Sequence, residues 1–467
     1  MTINTAALIE KLTVILFSFE KTASLIKEKI MKQRYWLNIL MGSFAVLSFQ
    51  LQAESLDLPG AIAHSLQSNP EVLAEQREVD ARDRQIREAW GGYLPTVDVT
   101  AGIGFQERDP VSQQFSDPDR TRNELERKEA RLSARQLVFD GFSTSNEYKN
   151  QKSRHESSVF RARSVSEDIA LEVTRTFLEV MKQEDILELA KQTLATHEDI
   201  YKKMKKRYDS GVGSRADFDQ ISGRLALAKT NTISQTANLL DAKTNFQRVV
   251  GVYPNSGDLK KPVSHSSILP TNLDEAVSSA IDHHPLLKSA GSDIDSISHR
   301  YEQTKSTFYP QFHVEVERDL NDDIDGVEGQ EDDLKIMLRM RYNLFNGHSD
   351  LARKQQFAHL VEKAKEIRNN TNRQVTQETR LAWVAYEAVR DQIPMLEDYV
   401  SDSQHTKDAY IKQFDLGRRT LLDILNTENE MIEARRLLAS SKLDLLFNEY
   451  RLFHAMGGLL PRVGMGL

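Results

Sequence analysis

The feature that most constrains this chain is that it carries one pattern twice. Leu58, Ala61, Pro70 and Pro95 recur as Leu273, Ala276, Pro285 and Pro310, each 215 positions later. Phe139, Gly141, Ser143, Asp209, Gly211, Asp217 and Gly251 recur as Phe345, Gly347, Ser349, Asp415, Gly417, Asp423 and Gly457, each 206 positions later. Two constant offsets mean two copies of one folding unit, bounded at 55–253 and 271–460. The difference, 215 − 206, leaves nine fewer residues between Pro310 and Phe345 than between Pro95 and Phe139, so the copies differ in one loop.

Within each copy the hydrophobic period changes in the same order. A helix of about 35 residues is expected from Leu58 and again from Leu273, ending near Tyr93 and Phe308, just before a proline that would break it. Period-2 alternation follows: Val97, Val99, Ala101, Ile103 and Phe105 in the first copy, and Leu334, Ile336, Leu338, Met340, Tyr342 and Leu344 in the second. Strands are therefore expected at about 96–106, 130–139, 311–319 and 333–345, each near the length of a tilted membrane strand. Phe139-Asp140-Gly141-Phe142-Ser143 and Phe345-Asn346-Gly347-His348-Ser349 then mark a turn into a second helix, with Thr144 and Glu147 at capping-box spacing. To about Tyr208 no Pro or Gly interrupts this helix, which gives roughly 95 Å at 1.5 Å per residue. Its counterpart contains Pro394, where a kink or a lost hydrogen bond is expected. Each long helix ends at a glycine turn, Ser210-Gly211-Val212-Gly213 or Leu416-Gly417, and a shorter helix returns to Gly251 or Gly457.

Composition narrows the setting. Mean hydropathy is −0.51, 28% of residues are charged, and no apolar run reaches the 18 or so residues that a spanning helix needs, so any membrane crossing falls to strands. The net charge of −8 has both signs interleaved, without the basic stripe that nucleic-acid binding requires. With no cysteine there are no disulfides, no thiolate ligands and no N-terminal lipid anchor. From Met31, basic Lys32 and Arg34 precede the apolar stretch Leu37–Phe49, and Gln52-Ala53 offers a cleavage point: residues 31–53 read as a signal peptide and 1–30 as an extension or misassigned start.

Two copies supply four membrane strands, and a sheet in lipid has to close because its edge N–H and C=O groups find no water there. Four cannot close. Observed barrels begin at eight strands, so two or three chains must share one wall. The long helices carry small and apolar positions such as Ala162, Ile169, Val173, Phe177 and Val180, suited to side-by-side packing in a helical barrel.

The duplicated order, the Phe-Asp-Gly and Phe-Asn-Gly junctions, and the turns Tyr208-x-x-Gly211 and Phe414-x-x-Gly417 resemble the TolC family over about residues 55–460. The resemblance implies a mainly α fold with a β-barrel part: a homotrimer whose twelve-stranded outer-membrane β-barrel stands on a twelve-helix periplasmic α-barrel. It implies as partners a periplasmic adaptor (membrane fusion) protein, an inner-membrane ABC exporter or other pump, and outer-membrane lipid. The strings Arg135–Ser143 and Gly211–Asp217 are most similar to outer-membrane components of type I secretion systems that export adhesins.

Candidate functional residues follow from the same resemblance. Asp423 matches the family's aspartate ring at the periplasmic gate, where three carboxylates would repel one another. Asn426 stands where some members carry a second aspartate, Phe414 replaces a tyrosine of the gate's polar link, and Arg419 matches its arginine. Asp217 is the first-copy counterpart of Asp423. Both aspartates lie three residues after Ser214 or Thr420, the capping-box spacing, so helix initiation alone also accounts for them. Gly211, Val212, Gly417 and Arg418 match the turns that meet the adaptor, although a turn needing positive φ explains the glycines equally well.

The hairpin Asn321–Asp332 imitates half of a calcium loop, but Glu328 and Asp332 depart from the pattern and a solvated extracellular loop is expected. His283-His284 is expected at the surface. No nucleophile–base pair, phosphate loop or zinc spacing is present, so neither catalysis nor a cofactor is expected. The competing readings are a tripartite drug-efflux duct on the same fold, and a soluble periplasmic coiled-coil scaffold with no barrel.

Overall fold

Both copies lay down the same elements in the same order. The computed structural model describes residues 56–108, 123–325 and 327–465, all within the unit Ser55–Leu467; the expected extension and signal peptide lie outside the described residues. The first copy runs α1 (Leu58–Ser68), α2 (Pro70–Gly91), β1 (Thr96–Arg108), β2 (Asn123–Phe139), α3 (Ser143–Asp209) and α4 (Arg215–Val250). The second runs α5 (Leu273–His283), α6 (Pro285–Thr304), β3 (Gln311–Asp322), β4 (Gln330–Arg341), α7 (Ser349–Asp415) and α8 (Leu421–Ala455), followed by the short α9 (Leu459–Arg462). Both α3 and α7 are 67 residues long, about 100 Å at 1.5 Å per residue.

Four local expectations are corrected. The front helix of each copy is two helices, broken at Asn69 and His284, because a residue before proline is pushed out of the helical region; ψ is 125° at Asn69 and 126° at His284. Each breaking residue then caps the helix after it, Asn69 Oδ1 accepting from the Glu71 amide and His284 Nδ1 from the Leu286 amide. Thr144 and Glu147 form no capping box: Asp140 accepts from both the amide and the hydroxyl of Thr144 at 2.8 and 2.6 Å, while Glu147 pairs with Arg300 at 2.6 Å. Strand β4 stops at Arg341 instead of 345, and Asn343 accepts instead from the Phe345 amide. His284 is buried, not at the surface, because the chain at Gly457 packs on it so closely that a Cβ there would lie 2.7 Å from the His284 Cα. Helix α7 runs unbroken through Pro394; Pro394 and Arg390 are both exposed, which leaves the carbonyl deprived of its N–H partner on a wet face.

The strands form one antiparallel sheet in the order β1-β2-β3-β4, so β1 and β4 are edges. The main core sits at mid-height of the long helices, where Phe177 of α3 and Phe246 of α4 meet with ring centroids 6.1 Å apart. Leu58 and Ile62 of α1, Ala276 of α5, Ala382 of α7, Leu452 and Phe453 of α8, and Leu459 and Leu460 of α9 complete it. Toward the sheet the α3–α6 interface becomes polar, with Ser157 bonded to Ser289 and Asn150 to Ser296; small polar side chains allow close approach and satisfy each other on burial. Away from it, an ion pair of 2.7 Å between half-buried Lys407 and buried Glu428 ties α7 to α8.

Burial first, and then the electrostatic effect of the neighbouring His454, push the His284 imidazole down to about 4. A base with a depressed folded pKa takes up its proton first in the unfolded chain. Its contribution is thus intact above about 6.5 and is lost as pH falls toward 4, by about 3 kcal/mol at most. His284→Asn, which installs the first copy's own cap residue, is expected to flatten the fall in melting temperature between pH 6.5 and 4.5 while leaving pH 7.5 stability within about 1 kcal/mol; thermal unfolding followed by circular dichroism at both pH values checks this.

Candidate functional site

Two regions carry chemistry, the sheet and the pair of helix turns. In the sheet the register puts Val97, Ala134, Val316 and Ile336 in one row across the four strands; in the next row on the same face Val99, Leu132 and Leu334 are joined by Arg318, whose guanidinium takes Asp332 one row nearer the β3–β4 hairpin. These side chains are uncovered: Ile336 is 70% exposed and Val99 75%. An exposed face whose rows are apolar up to Arg318 is a surface that meets something apolar. The opposite face is a lattice of charge, with Arg131 and Lys335 on Asp319 at 2.5 and 3.4 Å, and Arg339 and Arg135 on Glu315 at 2.6 and 3.6 Å. One face suits hydrocarbon and the other suits water.

Where sheet meets helix, the rings of Phe139, Phe142 and Tyr309 pack edge to face at 5.4–6.5 Å, and Trp90, Tyr93, Phe308, Tyr342 and Phe345 stand exposed around them. Aromatic residues of this kind concentrate at membrane–water boundaries. The tight exit that puts them there depends on Gly141, at φ 68°, where a Cβ would lie 2.7 Å from the Ser306 carbonyl oxygen. This aromatic group was missed in the sequence, although its signal is there: aromatics flank Pro95, Pro310 and both Phe-x-Gly junctions.

The carboxylates at the two ends of the β3–β4 hairpin have partners of their own. Asp323 Oδ1 accepts from the Gly329 amide, Arg318 takes Asp332, and no set of potential metal ligands gathers among the described residues.

At the far end of the long helices, Gly211 and Gly417 sit at φ 76° and 69°. Each helix ends in a left-handed turn, the amides of Val212 and Arg418 reaching back to the carbonyls of Arg207 and Gln413. Gly211, Val212, Gly417 and Arg418 are all exposed on these turns. Phe414, Arg419, Asp423 and Asn426 come together in the α7–α8 turn, whereas Asp217 lies in the α3–α4 turn. The two turns use their aspartates differently. Asp423 closes a complete capping box, accepting from the Thr420 amide and hydroxyl at 3.0 and 2.9 Å, and those bonds hold its carboxyl below the usual carboxylate range. Ser214 caps α4 through the Ala216 amide instead, and Asp217 forms no ion pair or side-chain hydrogen bond among the described residues.

The arginine and the aromatics also differ between the turns. Arg419 bonds Gln413 at 3.0 Å and lies over the Tyr410 ring at 4.1 Å. Tyr208 stacks flat on Phe218, but its counterpart Phe414 packs against an apolar cluster of Met204, Ile221, Leu421 and Leu425. Arg207 of α3 lies over the Phe414 ring at 5.7 Å. That contact and the cluster join the first turn to the second. Asn426 is exposed one helical turn beyond Asp423.

A family model described as outer membrane efflux protein matches residues 61–252 and 276–458, one match on each copy. The outer membrane efflux protein BepC of Brucella suis is 22% identical over 410 residues, covering 87% of this chain and 86% of that protein. The alkaline protease secretion protein AprF of Pseudomonas aeruginosa is 21% identical over 429 residues, covering 89% and 87%. Among solved structures, CusC superposes with a TM-score of 0.75 at 14% identity, covering 86% of this chain and 92% of that one.

The capping geometry makes a direct stability test. Thr420→Ala leaves the Asp423 carboxylate in place but removes the cap, and is expected to cost about 1 kcal/mol. Asn426→Ala, one turn along on an exposed face, is expected to be neutral; chemical denaturation of both variants measures the difference.

Proposed function

The chain belongs to the outer membrane efflux protein family, a channel protein of the outer membrane and not an enzyme, and from that premise we propose that it is the exit duct of a type I secretion system. In this reading three copies close one twelve-stranded barrel, with the apolar face of the sheet turned outward to lipid and the charged face lining the lumen. Their long helices form a twelve-helix tunnel in the periplasm, and the ring of helix turns receives a periplasmic adaptor and an ATP-driven inner-membrane exporter. Unfolded protein passes through it to the exterior.

The observation that carries the assembly is the four-stranded sheet with two free edges and an uncovered apolar face. In hydrocarbon each unbonded edge group costs several kcal/mol, which only pairing of β4 with the β1 of a neighbouring copy removes. The secretion reading draws on AprF, named for alkaline protease secretion, and on PrtF of Dickeya chrysanthemi, named for proteases secretion. The efflux reading has BepC in its favour. At the turns, Asp423, Arg419, Phe414 and Asn426, with Asp217 from the other hairpin, would line the closable entrance, and Gly211, Val212, Gly417 and Arg418 would meet the adaptor.

Deleting the gene is expected to remove a large protein from the culture medium and leave drug susceptibility within about twofold; the opposite pattern would identify an efflux duct. In planar bilayers the purified protein, running as a trimer on a native gel, is expected to give small stable conductances that Asp423→Ala enlarges. Thr420→Ala should not enlarge them to the same extent. Equal conductances in the two variants would mean that Asp423 acts solely as a helix cap.

A further inference from the structure

Beside the main core, α3, α5, α6 and the segment joining α8 to α9 border a cavity of about 270 Å3 that opens to solvent. Phe453, Met456 and Gly457 form its apolar floor and Arg163, His283, Lys288 and Arg462 are its charged or titratable walls; no carboxylate lines it. Lys288 and Arg462 lie over aromatic rings, of Phe160 and Phe453, and not against acids. Neither they nor Arg163 enters an ion pair among the described residues. Arg163 stands out further, because its Nε is shut off from water and has no hydrogen-bond partner. The acid nearest in sequence, Glu167 one turn along α3, gives its Oε2 to the Leu459 and Leu460 amides, and its Oε1 is likewise without a partner.

A buried guanidinium N–H without an acceptor costs more than the same group bonded. A fork of donors backed by two further cations with no acid among them fits a planar or tetrahedral oxyanion. We propose that this cavity binds a small anion of phosphate or carboxylate chemistry, seated on the Arg163 guanidinium and enclosed at the rim by Lys288 and Arg462. Glu167, which lies outside the lining, offsets part of the Arg163 charge, and the two rim cations leave the cavity net positive. The apolar floor lowers the local dielectric and strengthens the contact. The volume admits a single such group with its immediate substituents, whether a phosphoryl group or the carboxylate end of a peptide.

The test uses the purified full-length protein in detergent at fixed ionic strength, titrated separately with inorganic phosphate and with succinate, and followed by thermal unfolding. A ligand that binds only the folded state raises the melting temperature saturably, whereas exclusion of phosphate from the surface raises it without saturation in every variant. The expected result is a saturable rise with one probe, weakened at least tenfold by Arg163→Lys, which keeps the charge but loses the fork, and several-fold by Lys288→Gln. Whichever probe binds more tightly identifies the phosphoryl or the carboxylate source. No saturable rise with either probe, or a rise that survives Arg163→Lys and Lys288→Gln together, would overturn the site. Should the Arg163 variant fail to fold, Lys288→Gln decides alone, since that side chain is exposed.

Discussion

Backbone N–H and C=O groups at a sheet edge have no partner in hydrocarbon, and the rest of this architecture answers to that fact. One chain offers four strands with β1 and β4 unpaired, too few to curl round and meet. The copies must therefore share a wall, and a shared wall fixes what lies below it. Each strand pair continues through a glycine-dependent turn into a 67-residue helix, so the number of helices in the tunnel follows the number of strands in the barrel. The aromatic residues at the junction stand at the one height where the surroundings change from apolar to wet.

Duplication supplies the symmetry, and divergence between the copies supplies what is particular. Phe142 and His348, 206 positions apart, hold φ 68° and 64°, so the strand-to-helix turn is preserved even where the residue is not. The proline break is preserved as well, but Asn69 became His284, and with it a buried imidazole entered the second copy. At the tips a stacked Tyr208 became a Phe414 packed in an apolar cluster, and a half-formed cap at Ser214 became a closed box at Thr420. The second turn is therefore the more tightly fastened, and its aspartate is committed to bonds that the first leaves open.

The fold was legible because its signals are periodic and occur twice. Element order, the long uninterrupted helices and the alternating strands all follow from residue spacing along the sequence, and the glycines at the turns take the positive φ that their positions suggested. What escaped depends on partners distant in the chain. The spacing of Thr144 and Glu147 could not reveal that Arg300, over 150 residues away, takes the glutamate, and two adjacent histidines before a proline do not announce that Gly457 will bury one of them. At the turns, spacing placed Asp423 and Asp217 alike, and only the folded structure separates a closed box from an open one. The cavity around Arg163 joins residues from 163 to 462 and has no local signature.

The distribution of the core decides where such a body can yield. Phe177 lies near the midpoint of α3, about 50 Å from the turn at 1.5 Å per residue, and the apolar residues of α1, α5, α8 and α9 converge there. At the turns the buried cluster is small, Met204, Ile221, Leu421 and Leu425, with Ile200, Tyr201 and Phe414 partly buried against it. At roughly 1.5–3 kcal/mol for each fully buried side chain, four of them hold the tips with a fraction of the energy that holds the middle. Separation of the two hairpins at their tips is therefore the least costly deformation available to the unit, and it needs no change in the sheet. The closable entrance proposed above belongs at the end of the helices for the same reason that the core belongs at their centre: residues there can part without exposing what keeps the chain folded.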